Sequence, residues 1–526
     1  MSKVVSAEQA VARIPDGATV AVGGTGPVLE ASAVLEALEK RFLGQGHPQN
    51  LTVFSPMLPG DRPGVGGLNC FAHEGMLERI IGASFSMQRH PRLLELIRKG
   101  TSEGYILGMG TALQLLTAIG AGKPGVFTTV GTGSFLDPRV EGGCMNERST
   151  RPPVRIEVID GKEYLFYPAL PIHVAIIRGT TADENGYISM EEEPNTLGML
   201  ELALAAKASG GIVIAQVKRL ARAHSLDARL VKIPGSIVDM IVVSPQQTQL
   251  SSQMADPLNG WNPFLAGAMK TSYADMPIMP LDAQKLIVRR AALELRSRDV
   301  INVGAGVATH LPRVALEEGI LDRVVFTNEH GVFGGLMATA TGGSFVPAYN
   351  ADAIMDSAFQ FNFYDGGGLD IAFLGIGQID AYGNVNVSKF NREWNGPGGF
   401  NNITEKTKRI VFCGSLTSGG LKIQIGSQGM RIVEEGRFHK FVPRVEQITL
   451  NAPRAFEKGQ SITYITERAV FRLDAHGPEL VEVAPGIDVE RDIRPYVDFP
   501  LRVSEKLALI DERIYRDGPM GLVEQL

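Results

Sequence analysis

One carboxylate stands out by its surroundings: Glu329, in 324-VVFTNEHGVFGG-335. An apolar run ends at it, which places the acid at the C-terminal edge of a buried strand, where open α/β sheets bind their ligands. Glycines at 331, 334 and 335 allow a thin linear ligand to come within contact distance. A carboxylate so placed can serve as general base, ribose ligand or nucleophile. The structural alternative is a strand-end glutamate that closes an ion pair. A second pattern, 299-DVINVGAGVATHL-311, reads as a strand, a tight turn at Gly304, Ala305 and Gly306, and a helix start, with Glu329 falling 23 residues after Gly306. That is close to a dinucleotide-binding layout, but Thr309 stands where a third glycine or alanine belongs. The turn's backbone N–H groups suit negative charge whatever the ligand is.

Two further glycine-bearing stretches are 366-GGGLDIAFLGIGQIDAYGNVNVSKF-390 and 396-GPGGFNNI-403. Gly375 and Gly377 either relieve crowding at a strand end or admit a ligand. Asn384 and Asn386, in the turn GNVN, either cap that turn or face a ligand. The nine histidines show no ligand spacing, and no metal is expected. His330, beside Glu329, reads as structural.

Short Val/Ile-rich runs must position these residues: 18-ATVAV-22, 51-LTVFS-55, 174-VAII-177, 299-DVINV-303, 323-RVVFT-327, 371-IAFLG-375 and 409-RIVFCG-414. Stretches of helical spacing, such as 29–43 and 284–297, lie between many of them, which predicts largely parallel sheets in α/β layers. An ungapped repeat aligns 174-VAIIRGTTADENGYISM-190 with 371-IAFLGIGQIDAYGNVNV-387 at an offset of 197 residues, pairing Asp183 with Asp380 and Gly186 with Gly383. Each half also opens on a strand and a glycine turn, 22-VGGTG-26 and 303-VGAG-306. The expected fold class is therefore α/β, as two homologous open α/β domains, 1–245 and 281–526, with 246–280 as a polar linker and an elaboration inside the first copy.

Composition mostly excludes. Of 526 residues 60 are Gly, 44% are hydrophobic and the net charge is −6. That removes disorder and collagen-like repeats, and leaves no charged face for nucleic acid or a membrane. The longest apolar runs, such as 211-GIVIAQV-217, fall well short of a membrane span. Three scattered cysteines and a start without a signal-peptide core fit a cytoplasmic protein.

Taken in order, these stretches resemble the family I coenzyme A transferases, most closely the propionate or acetate branch with both halves fused. Further stretches that carry the resemblance are 131-GTGSFLDPRVEGG-143, 177-IRGTTADENGYISMEEE-193, 409-RIVFCGSLTSGGLKI-423, 464-YITERAVFRL-473 and 484-APGID-488. The resemblance implies that Glu329 is the nucleophile, exchanging CoA between short-chain acyl-CoA thioesters and free carboxylates through a glutamyl-CoA thioester. It implies Gly375 as oxyanion donor and the Gly304–Ala305–Gly306 turn as a CoA contact. Gly334 and Gly335, in 334-GGLMATATGG-343, and Gly398 and Gly399, in 396-GPGG-399, would line the pantetheine channel, with Gly377 and Asn384 as further CoA contacts. CoA is then substrate and transient adduct, with no tightly bound cofactor, and a homo-oligomer, often a tetramer, is expected. One departure stands out. Met109, in 107-LGMGTALQLL-116, replaces the glutamine of a Pro-Gln-Gly motif, so that its donor is missing, replaced by a backbone N–H, or supplied by Gln114. A thioesterase on the same fold, a non-covalent binder or isomerase, and a nicotinamide-nucleotide enzyme are the alternatives.

Overall fold

The computed structural model describes residues 2–251, 260–274, 276–338 and 346–526. In the first half, strands β1 (Thr19–Val22), β2 (Leu51–Ser55), β3 (Leu77–Gly82), β4 (Glu103–Ile106), β5 (Val174–Arg178), β6 (Ile212–Val217) and β7 (Met240–Val243) form one sheet, ordered β7-β6-β5-β1-β2-β3-β4. Every pairing in it is parallel. Helices cover both faces, so β1 and β5 are buried at every position, which is why these strands read as continuous apolar runs rather than alternating ones.

The second half builds a ten-stranded sheet. Its parallel centre consists of β8 (Val300–Val303), β9 (Val325–Asn328), β12 (Ile371–Gly375), β13 (Arg409–Cys413) and β14 (Ser461–Ile465), ordered β9-β8-β12-β13-β14. Short strands β10 (Val332–Phe333) and β11 (Ala353–Ile354) extend one edge. Strands β15 (Ala469–Asp474), β16 (Gly477–Val483) and β17 (Arg502–Leu509) extend the other.

The internal repeat is visible as geometry. Ala175 on β5 pairs with Ala21 on β1, and Ala372 on β12 pairs with Asn302 on β8, so both copies share one register. After each central strand an aspartate closes the same turn: Asp183 accepts from the N–H groups of Asn185 and Tyr187, and Asp380 from those of Tyr382 and Asn384. Gly186 and Gly383 follow at φ of 91° and 83°. The elaboration of the first copy consists of β3, β4 and a separate three-stranded antiparallel sheet of Gly125–Thr128, Arg155–Ile159 and Lys162–Pro168.

Of the linker stretch, residues 252–259 and 275 lie outside the described residues. The described part carries no helix or strand and bridges both halves: Gln247 donates to the Gly179 carbonyl and Ser251 Oγ bonds Pro27 and Glu30, whereas Lys270 donates to the Asn350 and Ala351 carbonyls. One buried apolar cluster runs through both halves, joining Leu113 and Met199 to Phe361, Leu374 and Phe412. The cleft between the halves is therefore held by a shared core.

Candidate active site

Glu329 follows the last residue of β9 and faces a cleft of about 1060 Å³ that both halves line. Beneath it, Thr327 and Asn302 are tied together by the Tyr364 hydroxyl, at 2.7 and 3.2 Å respectively. These bonds fix the ends of β8 and β9 side by side. Glu329 is 8% exposed, and no cation lies within 4 Å of it among the described residues. An ion-paired structural glutamate is thereby excluded. Burial pushes its pKa up to about 7, against a smaller opposing pull from its own backbone N–H and the Asn302 side chain. Its Oε2 is buried without a hydrogen-bond partner among the described residues. A poorly solvated carboxylate that gains so little from its surroundings is a reactive nucleophile once ionised.

The loop 395–399 closes over this acid. Gly399 comes so near that a Cβ there would lie 3.3 Å from Glu329 Cγ and 3.0 Å from the Phe361 ring. The loop is tied to the first half by three backbone hydrogen bonds: Phe85 N–H to the Asn395 carbonyl, Gly398 N–H to that of Ala83, and Met109 N–H to that of Gly398. Gly396, at φ 68°, has no room for a side chain, since a Cβ would reach the Ala83 oxygen at 2.4 Å. The Gly399 N–H is buried and has no acceptor among the described residues. It is an unused donor in the loop packed on Glu329, the kind of group that can stabilise a tetrahedral oxyanion.

The opposite wall is the glycine turn after β8. Gly306 has φ of 97°, and Gly375 lies against it, a Cβ at 375 reaching the Ala305 oxygen at 3.0 Å. A Cβ at Gly304 would meet Leu374 at 2.6 Å, and one at Gly377 the Asn386 oxygen at 2.2 Å. Gly304, Ala305, Gly306, Gly375, Gly377, Gly398, Gly399 and Glu329 thus line one cleft.

Gly334, Gly335 and Asn384 are placed elsewhere. Gly334 and Gly335 take positive φ to pass Asp352 and the Tyr349 carbonyl within their own lobe, and neither lines the cleft. Asn384 donates to Asp380 and accepts from the Ala452 N–H, which makes it a turn cap. Asn386 likewise bonds Gln378 and the Lys389 carbonyl. In the channel stretch 334–343, residues 339–343 lie outside the described residues. His330 is buried, and desolvation together with the Arg89 guanidinium pushes its pKa down to about 3, so it is neutral.

Met109 opens helix α1 (Met109–Gly120) and lines the cleft with its thioether. Gln114 does not supply the missing amide: its Nε2 donates to Asp365 at 2.7 Å and to Asn362 at 3.1 Å. The nearby backbone donors are also taken, Met109 N–H by Gly398 and Gly110 N–H by Asn402 Oδ1. Two residues near Glu329 carry little mark in the sequence. Asn302, buried beneath it, shows only as a lone amide in the apolar strand 300-VINV-303. Arg89, in the loop between β3 and the next helix, lines the cleft without any signal.

A buried carboxylate at a strand end, glycine turns on both sides and a cleft shared by two copies of one α/β unit are the features of a group-transfer enzyme. The coenzyme A transferase family pattern matches residues 4–244. Across its whole length the chain is similar to the acetate CoA-transferase YdiF of Escherichia coli K12, 40% identical over 99% of this chain and 96% of that one. It is similar to the caffeate CoA-transferase of Acetobacterium woodii as well, 38% identical over 99% of each. The crystal structure of the acyl-CoA transferase YdiF apoenzyme from E. coli O157:H7 superposes with a TM-score of 0.92 at 38% identity, over 99% of this chain and 97% of that one. This chain belongs to the coenzyme A transferase family. It is a two-lobed CoA-transferase with both halves fused, which sets aside the nicotinamide reading of the 304–306 turn. Among the described residues no helix is long and apolar enough to cross a membrane.

Proposed function

We propose that this enzyme exchanges CoA between short-chain acyl-CoA thioesters and free carboxylates, with Glu329 carrying CoA as a glutamyl thioester between the two half-reactions. The observation that supports this best is the cation-free, desolvated Glu329 carboxylate in a cleft walled by glycines. In the first half-reaction a Glu329 oxygen attacks the thioester carbonyl carbon. The C–S bond breaks, giving an acyl-glutamyl anhydride and CoA thiolate. The thiolate then attacks the glutamyl carbonyl, and the first acid leaves as its carboxylate. An incoming carboxylate reverses both steps and departs as the new thioester. Burial serves both halves of this cycle: it raises the energy of the attacking carboxylate and keeps water from the anhydride and the thioester.

Each tetrahedral intermediate needs a donor. Gly375 is the donor that the family resemblance assigns, and the unused N–H of Gly399, in the loop packed on Glu329, is a second candidate. The Gly304–Gly306 turn and Gly377 would hold the CoA side of the cleft. Acetate and caffeate, which name the two relatives, are the first acids to test. A homo-oligomer located in the cytoplasm belongs to the same proposal.

The deciding experiment is intact-mass analysis after mixing enzyme with acetyl-CoA and no acceptor. A CoA adduct that maps to the Glu329 peptide, and is absent from Glu329→Gln, is the expected result. No adduct, together with transfer retained in Glu329→Gln, overturns the mechanism. Release of CoA at the full rate without any acceptor would instead make the enzyme a thioesterase.

A further inference from the structure

The segment Asn195–Gly198 of the first half reaches across the boundary to the turn that carries Glu329. Asn195 Nδ2 donates to the His330 carbonyl at 2.9 Å, one residue beyond Glu329. Two more bonds cross beside it: Thr196 Oγ1 and the Gly198 N–H both donate to Asp356 Oδ2, at 2.6 and 2.9 Å. To reach so far, the backbone passes twice through the left-handed region, with Leu197 at φ 50° and Gly198 at φ 72°. A buried leucine in that conformation is strained, and such strain persists only where the surroundings impose it. The approach to Asn195 is fixed as well. Glu193, two residues before it, is locked in an ion pair with Arg178 at 3.1 Å, both side chains buried.

The turn that receives the Asn195 amide is tied on its other sides too. Asn328 Oδ1 accepts from the His330 N–H at 3.0 Å, while Asn328 Nδ2 donates to the Val346 carbonyl at 2.9 Å. The Gly331 carbonyl accepts from the Met355 N–H, and a Cβ at Gly331 would lie 2.0 Å from the Met355 oxygen. The backbone that follows Glu329 is thus held by its own lobe through Asn328 and Met355, and by the other lobe through Asn195. Asn195 makes this contact at a cost. It is 1% exposed, and its Oδ1 has no partner among the described residues. An amide buried with its oxygen unmet is a poor stabiliser, so stability alone does not account for it.

We propose that Asn195 is a positioning residue for Glu329: by tying the Glu329 turn to the first half, it sets the direction in which the carboxylate meets a thioester held between the lobes. Misplacing a reacting group by about 1 Å is enough to slow a reaction about 100-fold. The neighbouring Thr196 supplies the matched contrast. Its hydroxyl also crosses between the lobes, but it ends on Asp356, the N-cap of the helix Ser357–Asp365, rather than on the Glu329 turn. One bond holds the lobes at the reacting carboxylate and the other holds them away from it.

The inference rests on Glu329 being the nucleophile, and the test separates the two. Asn195→Ala and the near-isosteric Asn195→Leu remove the amide, and Thr196→Val removes the neighbouring bond between the lobes. For each, kcat and KM are measured for acetyl-CoA with acetate as acceptor. The rate of CoA adduct formation on Glu329 is followed by intact mass without acceptor. Both Asn195 variants are expected to lose about 10- to 100-fold in kcat and in adduct rate, with the KM for acetyl-CoA within about threefold of wild type. Thr196→Val should keep kcat within about threefold, even where its melting temperature falls as far as theirs. An equal loss of kcat in Thr196→Val and Asn195→Leu overturns the proposal, since any tie between the lobes would then suffice. So does an unchanged kcat in a folded Asn195 variant, or a loss confined to KM. Failure of both Asn195 variants to fold overturns it as well, by making the amide a purely structural tie. Wild-type enzyme that transfers CoA without an adduct on Glu329 would be the failure of the nucleophile reading itself.

Discussion

The chemistry of Glu329 turns on one ionisation. With its pKa pushed up to about 7 by burial, the carboxylate that attacks is the minor form in acid and the major form above neutrality. The kcat/KM for acyl-CoA should therefore fall about tenfold per pH unit below 7 and level off above about 8. A profile already flat at pH 6 would contradict the desolvated site. His330 stays neutral throughout this range, so a single inflection is expected. Glu329 stood out in the sequence as an acid that ends an apolar strand before a glycine run, and the family resemblance alone made it the candidate nucleophile. Arg89 did not, since nothing in a loop sequence reports that an arginine lines a cleft.

At the scale of elements, the glycines split into two kinds that look alike in sequence. Those at 304, 306, 375, 398 and 399 keep a cleft open, whereas those at 334 and 335 let the chain pass Asp352 and Tyr349. Both kinds need the absence of a Cβ, so only the identity of the neighbouring atom tells them apart. Asn384 follows the same logic. The repeat already held the answer: its counterpart Tyr187 donates the same backbone hydrogen bond to the equivalent aspartate, so this position belongs to the turn. Met109 lines the cleft, but its backbone N–H and Gln114 are occupied, which leaves Gly399 in the 396–399 loop as a backbone N–H without an acceptor among the described residues. Gly399→Ala tests that loop. The added methyl meets Phe361 and Glu329, and should cost about 1–3 kcal/mol of stability. Transfer activity should fall much further than the melting temperature predicts if the displaced Glu329 is the nucleophile proposed above. A variant destabilised by that amount with normal kcat would remove the loop from catalysis.

Over the whole molecule, three carboxyl groups at or near the boundary between the halves are raised to about 6 or 7. Burial raises Glu329 to about 7, burial and the facing Asp356 raise Glu201 to about 7, and burial raises Asp365 to about 6. Each is protonated more readily folded than unfolded, so each favours the folded state in acid and loses that contribution as pH rises through its folded pKa. The melting temperature should accordingly drop between pH 5.5 and pH 8, and Glu201→Gln should reduce the drop. Equal slopes for both proteins would remove Glu201 from that balance. The two-copy architecture was readable from the strand runs and the 197-residue repeat because parallel, doubly covered strands leave continuous apolar segments. The three-stranded sheet of the first half was not, since β-hairpins at a half-exposed surface alternate weakly. The three backbone ties between the 395–399 loop and the first half bear on how a ligand gets in. Parting the lobes like jaws would break all three at once, next to the reacting carboxylate. Those ties favour a path in which the long pantetheine arm threads into a standing cleft over one in which the lobes open to admit it.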